Sequence, residues 1–205
     1  MIDNRVLTAD QNIKILSEKF TSVNIALNDQ YFEIQVLPED IFGVVKELKD
    51  NSNLSYDQLT DLSAVDYPSR EKRFDIFYIF LSMTSNTRVL IKSSIKESEK
   101  LKSITSIFKS ADWYERECYD LFGIQFLNHP DLRRIMTDYN FEGHPLRKDF
   151  PLTGHTEVRY DDLEKKVVYE PVKLTQEYRD FDYMSPWEGI DNNLFDERYH
   201  KKDKK

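Results

Sequence analysis

The periodic apolar pattern of this chain stops at His129, and that break restricts it to a packed domain followed by something of another kind. Before the break, apolar residues recur at helical or strand spacing. After it come Pro, charge and isolated aromatics with no long helical period, over a stretch longer than loops inside compact domains usually run. The predicted division is an α+β globular domain over 1–128, an extended partner-wrapping segment over 129–190 and a charged, flexible tail over 191–205.

Within the first part, Ile13, Leu16 and Phe20 suit a short amphipathic helix. Val23, Ile25 and Leu27, then Phe32, Ile34 and Val36, alternate about Asn28-Asp29-Gln30 and predict a hairpin. Ile41, Val44, Val45 and Leu48 stripe a helix that begins after Pro38. Tyr56 to Val65 is ambiguous by periodicity, and Asp66-Tyr67-Pro68-Ser69-Arg70 reads as a turn. The run Phe74 to Leu81 is apolar on both faces, which predicts a central strand covered on two sides, with Val89, Ile91, Ser93 and Ile95 returning beside it. Leu101, Ile104 and Phe108 stand at helical spacing within 97–109. This order lacks the regular βαβ alternation of a nucleotide-binding doubly wound sheet. It predicts an α+β fold with a largely antiparallel sheet packed with helices, followed by a long extended C-terminal segment.

Composition narrows the function classes. A chain of 205 residues, 40% of them hydrophobic, can bury one sizeable core. A net charge of -8 argues against a nucleic-acid binder held by phosphate contacts, and acids interrupt the basic pairs Arg133-Arg134, Arg147-Lys148 and Lys165-Lys166. A single cysteine allows neither an intramolecular disulfide nor a multi-cysteine metal or iron–sulfur site. No stretch approaches the roughly 18 to 20 apolar residues of a membrane span. The first residues resemble neither a signal peptide nor an Arg-rich presequence. A soluble or peripheral protein is expected.

Chemistry-bearing residues concentrate between Ala111 and Pro151. Asp112 with Glu115 resembles a capping box, Gly123 offers a left-handed stop, and Tyr114, Cys118, Leu121 and Phe122 form the apolar stripe of a helix. Glu115, Arg116, Glu117 and Asp120 are assigned to its remaining faces. Glu115 and Glu117 point to different faces and cannot act together on one atom; salt bridges to Arg116, Arg133 or Arg134 are the expected use. His129, His144 and His155 among Asp131, Asp138, Glu142 and Asp149 suggest a metal-dependent hydrolase, but no ligand pair has the spacing such sites need. His129-Pro130 and His144-Pro145 read instead as turns. Cys118 reads as a small buried hydrophobe, and the glycines are too scattered for a phosphate loop. No catalytic, cofactor-binding or metal-ligating residue is predicted.

At these residues the sequence resembles a known family, the thirty-kilodalton-type subunit of respiratory NADH:ubiquinone oxidoreductase (complex I). The residues that carry the likeness are Glu115-Arg116-Glu117, Asp120, Phe122-Gly123, His129-Pro130-Asp131-Leu132-Arg133-Arg134-Ile135, Asp138-Tyr139 and Phe141 to Pro151. Asp66-Tyr67-Pro68, Arg73-Phe74, Val158-Arg159-Tyr160-Asp161, Glu170-Pro171 and Phe181 to Trp187 look like its mitochondrial and alphaproteobacterial branch. The resemblance implies a non-catalytic structural subunit of the peripheral arm, docked on the forty-nine-kilodalton-type neighbour near the quinone module. FMN, iron–sulfur clusters and ubiquinone would then be carried by other subunits and none by this chain. It implies the matrix side of the mitochondrial inner membrane, or the cytoplasmic face of a bacterial one, with membrane contact only through the complex. Under this reading Glu115, Arg116, Glu117, Asp120, His129, Pro130, Arg133, Arg134, His144, Pro145 and Arg147 fix the turn into the tail. Tyr178, Phe181 and Trp187 anchor that tail, with Tyr160, Tyr169 and Tyr183. A related membrane-bound hydrogenase-type complex is the competing parent.

Overall fold

A computed structural model of the chain describes residues 15–17, 19–20, 23–27 and 31–176. They fall in two compact units, one ending at Gly154 and the other beginning at His155. The elements in order are β1 (Asn24–Leu27), β2 (Phe32–Gln35), α1 (Ile41–Asp50), β3 (Gln58–Asp66), β4 (Phe74–Ser82), β5 (Thr87–Ile95), β6 (Lys100–Lys102), α2 (Ala111–Phe122), β7 (Gln125–Leu127), β8 (Thr156–Asp161) and β9 (Lys166–Pro171).

The first unit is built on a five-stranded sheet in the order β1-β2-β5-β4-β3. Its pairings are antiparallel except β2 with β5, which run parallel because α1 and the β3–β4 hairpin intervene between them in the chain. The predicted hairpin about Asn28-Asp29-Gln30 is present as β1–β2, with Ile25 opposite Ile34. The ambiguous stretch ending at Val65 becomes β3, an edge strand with a bulge between Leu59 and Asp61. All four residues of the α1 stripe, Ile41, Val44, Val45 and Leu48, are buried with the sheet in one core.

Burial alternates along β4. Phe74, Ile76, Tyr78 and Phe80 are fully buried, while Phe77, Ile79 and Leu81 on the other face are half-buried. The expectation of cover on both faces is therefore corrected: among the described residues, the helices pack on one. Phe80 lies 5.2 Å from Phe108, ring centre to ring centre, and Phe74 meets Phe122 edge-on.

Two further expectations are corrected. Residues 97–109 are not a helix: Lys100–Lys102 form a strand parallel to β7, and turns carry Ile104 and Phe108 into the core. Helical spacing buries the same three side chains without a helix, because Ser103 N–H bonds to Leu127 O and Ile104 N–H to the Glu115 carboxylate. The capping box of Asp112 and Glu115 is also absent. Ser110 occupies the N-cap without a side-chain cap bond, and Glu115 is buried on the core side. Gly123 does end α2 in the left-handed conformation (φ +80°), its N–H bonded to Tyr119 O.

The sequence ends the globular part at residue 128, but the first unit runs on to Gly154. Its loop has side chains that bond back to α2, described below. The second unit contains the antiparallel hairpin β8–β9, with Val158 opposite Tyr169 and Tyr160 opposite Val167.

Phe80→Ala is expected to cost about 3–5 kcal/mol by opening a cavity on the covered face. Val65→Thr, on the open face, should stay within about 0.5 kcal/mol; urea midpoints of the two variants check the asymmetry.

Candidate functional site

The charged stretch organises itself around Asp120, which α2 turns inward and buries completely. Its Oδ2 accepts the backbone N–H groups of Ile135 (3.0 Å), Met136 (2.7 Å) and Thr137 (2.9 Å). Its Oδ1 accepts the Thr137 hydroxyl at 2.8 Å and Arg134 Nε at 2.6 Å. Burial alone would push this carboxyl up, but the donors from Thr137, Arg134 and Met136 outweigh it and hold Asp120 well below the ordinary carboxylate range. That stabilisation is present above about pH 4, where the unfolded carboxyl has ionised, and is lost as pH falls through the lower folded value.

The last carbonyls of α2 find partners in the same loop. Asp120 O accepts from His144 Nδ1 at 2.8 Å and from Arg134 Nη2 at 3.3 Å. Leu121 O accepts Leu146 N–H at 3.1 Å, and Phe122 O accepts Arg147 Nε at 2.6 Å. Arg134 also donates to the carbonyls of Phe141 and Gly143. Two guanidinium groups thus sit at the negative end of the helix dipole. Burial first, then Arg147 and Arg134, hold His144 below the ordinary imidazole range, so it serves as a neutral donor through Nδ1–H. Gly123 is required twice over: for its positive φ, and because a Cβ there would lie 2.5 Å from Arg147 Nη2 and 2.7 Å from His144 Nε2.

A second anchor ties the loop to the end of β3. Asp66 is buried and accepts Arg73 Nε at 2.7 Å, Arg73 Nη2 at 2.9 Å and Lys148 N–H at 2.7 Å. The Arg73 hydrogen bonds hold it below the ordinary range against its burial. Arg73 continues to Asp149 at 3.0 Å and to Glu97, which also pairs with Arg147.

The N-terminal half of α2 is organised differently. Among the described residues Glu115 pairs with no arginine, contrary to expectation. Its Oε1 accepts Ile104 N–H at 2.8 Å, and its Oε2, without a hydrogen-bond partner among the described residues, lies 3.9 Å from His129 Nε2. Burial pushes Glu115 up to about 7, against the Ile104 and Ser103 hydrogen bonds. The His129 ring is enclosed and lies 3.2 Å from Asp112. Arg116 pairs with Asp112 at 2.8 Å and Asp131 at 3.3 Å, and Arg133 pairs with Asp131 at 3.1 Å on the surface. Glu117 is half-buried on the adjoining face; Pro145 lies in a turn closed by Arg147 N–H on His144 O, and Pro130 in a bend.

Of the residues singled out in the sequence, the structure thus brings Asp120, Arg134, His144 and Arg147 into one joint. Glu115, Arg116 and His129 lie in a second cluster. Tyr178, Phe181 and Trp187 are outside the described residues. Sequence reasoning missed Asp66, Arg73 and Glu97 as anchors; an acid and an arginine flanking the Tyr67-Pro68 turn were the available signal. Cys118 is buried and its thiol pushed up by burial, a packed side chain rather than a nucleophile. Among the described residues, no three His, Cys, Asp or Glu side chains are placed to hold a metal ion.

Ionised groups turned onto backbone amides and carbonyls define a structural joint, in a module of mixed sheet and few helices. Residues 34–156 match the family described as the respiratory-chain NADH dehydrogenase 30 Kd subunit, and the chain belongs to that family. It is 55% identical over 158 residues to an NADH-quinone oxidoreductase subunit of Cereibacter sphaeroides, covering 77% of this chain and 79% of that one. The subunit of the same name from Ruegeria pomeroyi is 57% identical over the same length and shares, and that from Paramagnetospirillum magneticum 51% over 175 residues, 76% and 88%. A chain from the membrane-bound sulfane sulfur reductase, an archaeal respiratory membrane complex, has the same fold with a TM-score of 0.64. It is 18% identical and the match covers 86% of this chain and 98% of that one.

Two outcomes follow from this geometry. Between about pH 4.5 and 7 the folded protein keeps a proton on Glu115 that the unfolded chain releases, so this group's contribution to stability falls as pH rises through that window. Glu115→Gln should abolish that component, roughly 2 kcal/mol between pH 5 and 7.5, in urea midpoints compared at the two values. Gly123→Ala should cost at least about 2 kcal/mol through backbone strain and the clash with Arg147 and His144, measured by thermal denaturation.

Proposed function

We propose that the chain is the thirty-kilodalton-type component of a proton-pumping NADH:ubiquinone oxidoreductase, acting as a non-catalytic structural subunit of the peripheral arm. It docks on the forty-nine-kilodalton-type neighbour near the quinone module and holds the surrounding subunits in register. FMN, the iron–sulfur clusters and ubiquinone reside on other subunits; one cysteine cannot supply a four-cysteine cluster site. The chain reaches the inner membrane only through the complex, from the mitochondrial matrix side or the bacterial cytoplasmic side. Among the described residues no helix is long and apolar enough to cross a membrane.

The observation that carries this reading is the β8–β9 hairpin. Val158, Tyr160, Val167 and Tyr169 lie on one face and are each more than half exposed, at 53%, 59%, 52% and 58%. The other face carries Arg159 paired with Glu170 and Asp161. An isolated two-stranded ribbon is marginal in water, and an aromatic and β-branched face of this kind gains stability only under a partner. From the sequence, Tyr178, Phe181 and Trp187 are added to this interface as further aromatic anchors in this proposal.

Truncation after Gly154 is expected to leave the first unit cooperatively folded, by circular dichroism and thermal melting, while the chain disappears from the assembled complex on native gels. Normal complex levels with the truncated chain would overturn the proposal. Mild-detergent purification of the full chain should recover the forty-nine-kilodalton-type neighbour; hydrogenase subunits in its place would redirect the assignment.

A further inference from the structure

The open face of the five-stranded sheet carries a second feature, separate from the joint and from the hairpin. Val65, Phe77, Ile79 and Leu90 line a trough of about 440 Å³ along β4 and β5, with Tyr31 and Tyr67 also in its wall. In register, Ile79 stands opposite Leu90 and Phe77 opposite Lys92. The apolar residues form the middle, and Arg88 and Lys92 from β5 form the rim. An apolar centre inside a polar rim is the anatomy of a protein interface.

The polar groups of the trough decide what fits it. The lining carboxylate, Asp75, is answered by the Ser94 hydroxyl at 2.6 Å, Arg70 at 3.1 Å and Lys92 at 3.4 Å. It leaves no converging acceptor for a small polar ligand. Arg88 is exposed and, among the described residues, has no hydrogen-bond or ion-pair partner. The site therefore presents an apolar floor and one uncompensated cation. From Arg88 to Lys92 the trough runs roughly 13 Å along β5, about two and a half turns of an α-helix. The opposite face of the same sheet is already buried under helices, and helices on both faces are a stable way to bury a sheet.

We infer that this trough is a second docking surface, seating a helix of a neighbouring subunit that turns an apolar stripe to Phe77, Ile79 and Leu90 and a carboxylate to Arg88. The inference rests on the chain being a subunit of a larger complex, but not on the hairpin being its contact with the forty-nine-kilodalton-type neighbour. Ile79 and Leu90 act as the anchors, and Arg88 fixes the register of the helix.

The test places a photo-crosslinking phenylalanine analogue at Leu90 in the full chain within assembled complex, with a second position at Val167 as an independent reading of the hairpin. Leu90 should cross-link to a helical segment of another subunit, with an Asp or Glu within one turn of the linked residue. Arg88→Glu should lower recovered complex about tenfold, and changing that acid to Arg should restore it. A Leu90 cross-link to the chain itself, to a second copy or to lipid would overturn the inference, as would no cross-link, or full assembly with Arg88→Glu. Failure at Val167 with success at Leu90 would count against the hairpin proposal alone.

Discussion

The Asp120 carboxylate and its five donors are the interaction on which the order of residues 134–149 depends. Enclosing an unpaired carboxylate costs several kcal/mol, while hydrogen bonds to a charged group contribute about 1.5–3 kcal/mol each. The acid is tolerable inside only if the loop is ordered, and three consecutive loop amides are satisfied only if the acid is there. The two therefore form together. Once they do, Arg134 reaches the carbonyls of Phe141 and Gly143, His144 and Arg147 reach the helix end, and Lys148 N–H falls on Asp66. Each step places the next, so a loop with little regular structure behaves as part of the domain.

Glu115 shows that burial alone does not set the state of an acid. It lies five positions before Asp120 on the same helix and is equally enclosed, but it meets one backbone donor and one hydroxyl instead of three amides, a hydroxyl and a guanidinium. The carboxyl of Asp120 is drawn down and that of Glu115 pushed up, because the number of donors decides whether desolvation wins. Side by side, a permanently charged anchor and a group that takes up a proton near neutrality occupy successive turns of α2.

Sequence periodicity recovered what depends on alternation. The β1–β2 hairpin, the α1 stripe and the β4–β5 pair follow from which residues are apolar and how far apart they stand, and the largely antiparallel α+β class follows from them. Periodicity failed where another group supplied the backbone partners. Leu101, Ile104 and Phe108 have helical spacing, but the Ile104 amide is claimed by Glu115 and the Ser103 amide by Leu127. The site was legible as a cluster and not as a wiring diagram. Asp120 with Arg134 was foreseeable as an acid–arginine pair, while three successive amides converging on one oxygen, and Asp66 capturing the Lys148 amide, depend on backbone geometry that no residue type announces. Cover on both faces of β4 was inferred from its composition. Phe77, Ile79 and Leu81 are apolar as that reading requires, yet the described residues leave them half-buried. In a protein built to assemble, apolar patterning reports the assembly as well as the isolated chain.

That last point separates the two kinds of surface on this molecule. At the joint the charges face inward and are matched by amides, carbonyls and one another, so little of their field is left to attract a partner. The hairpin and the open sheet face are the reverse: Val158, Tyr160, Val167 and Tyr169 on one, Phe77, Ile79 and Leu90 on the other, with apolar area facing water. Burying such area contributes roughly 25 cal/mol per Å², without the desolvation penalty that matched ion pairs would incur. The charge density of 111–151 therefore fixes shape, while the two proposed docking surfaces draw their affinity from the apolar faces.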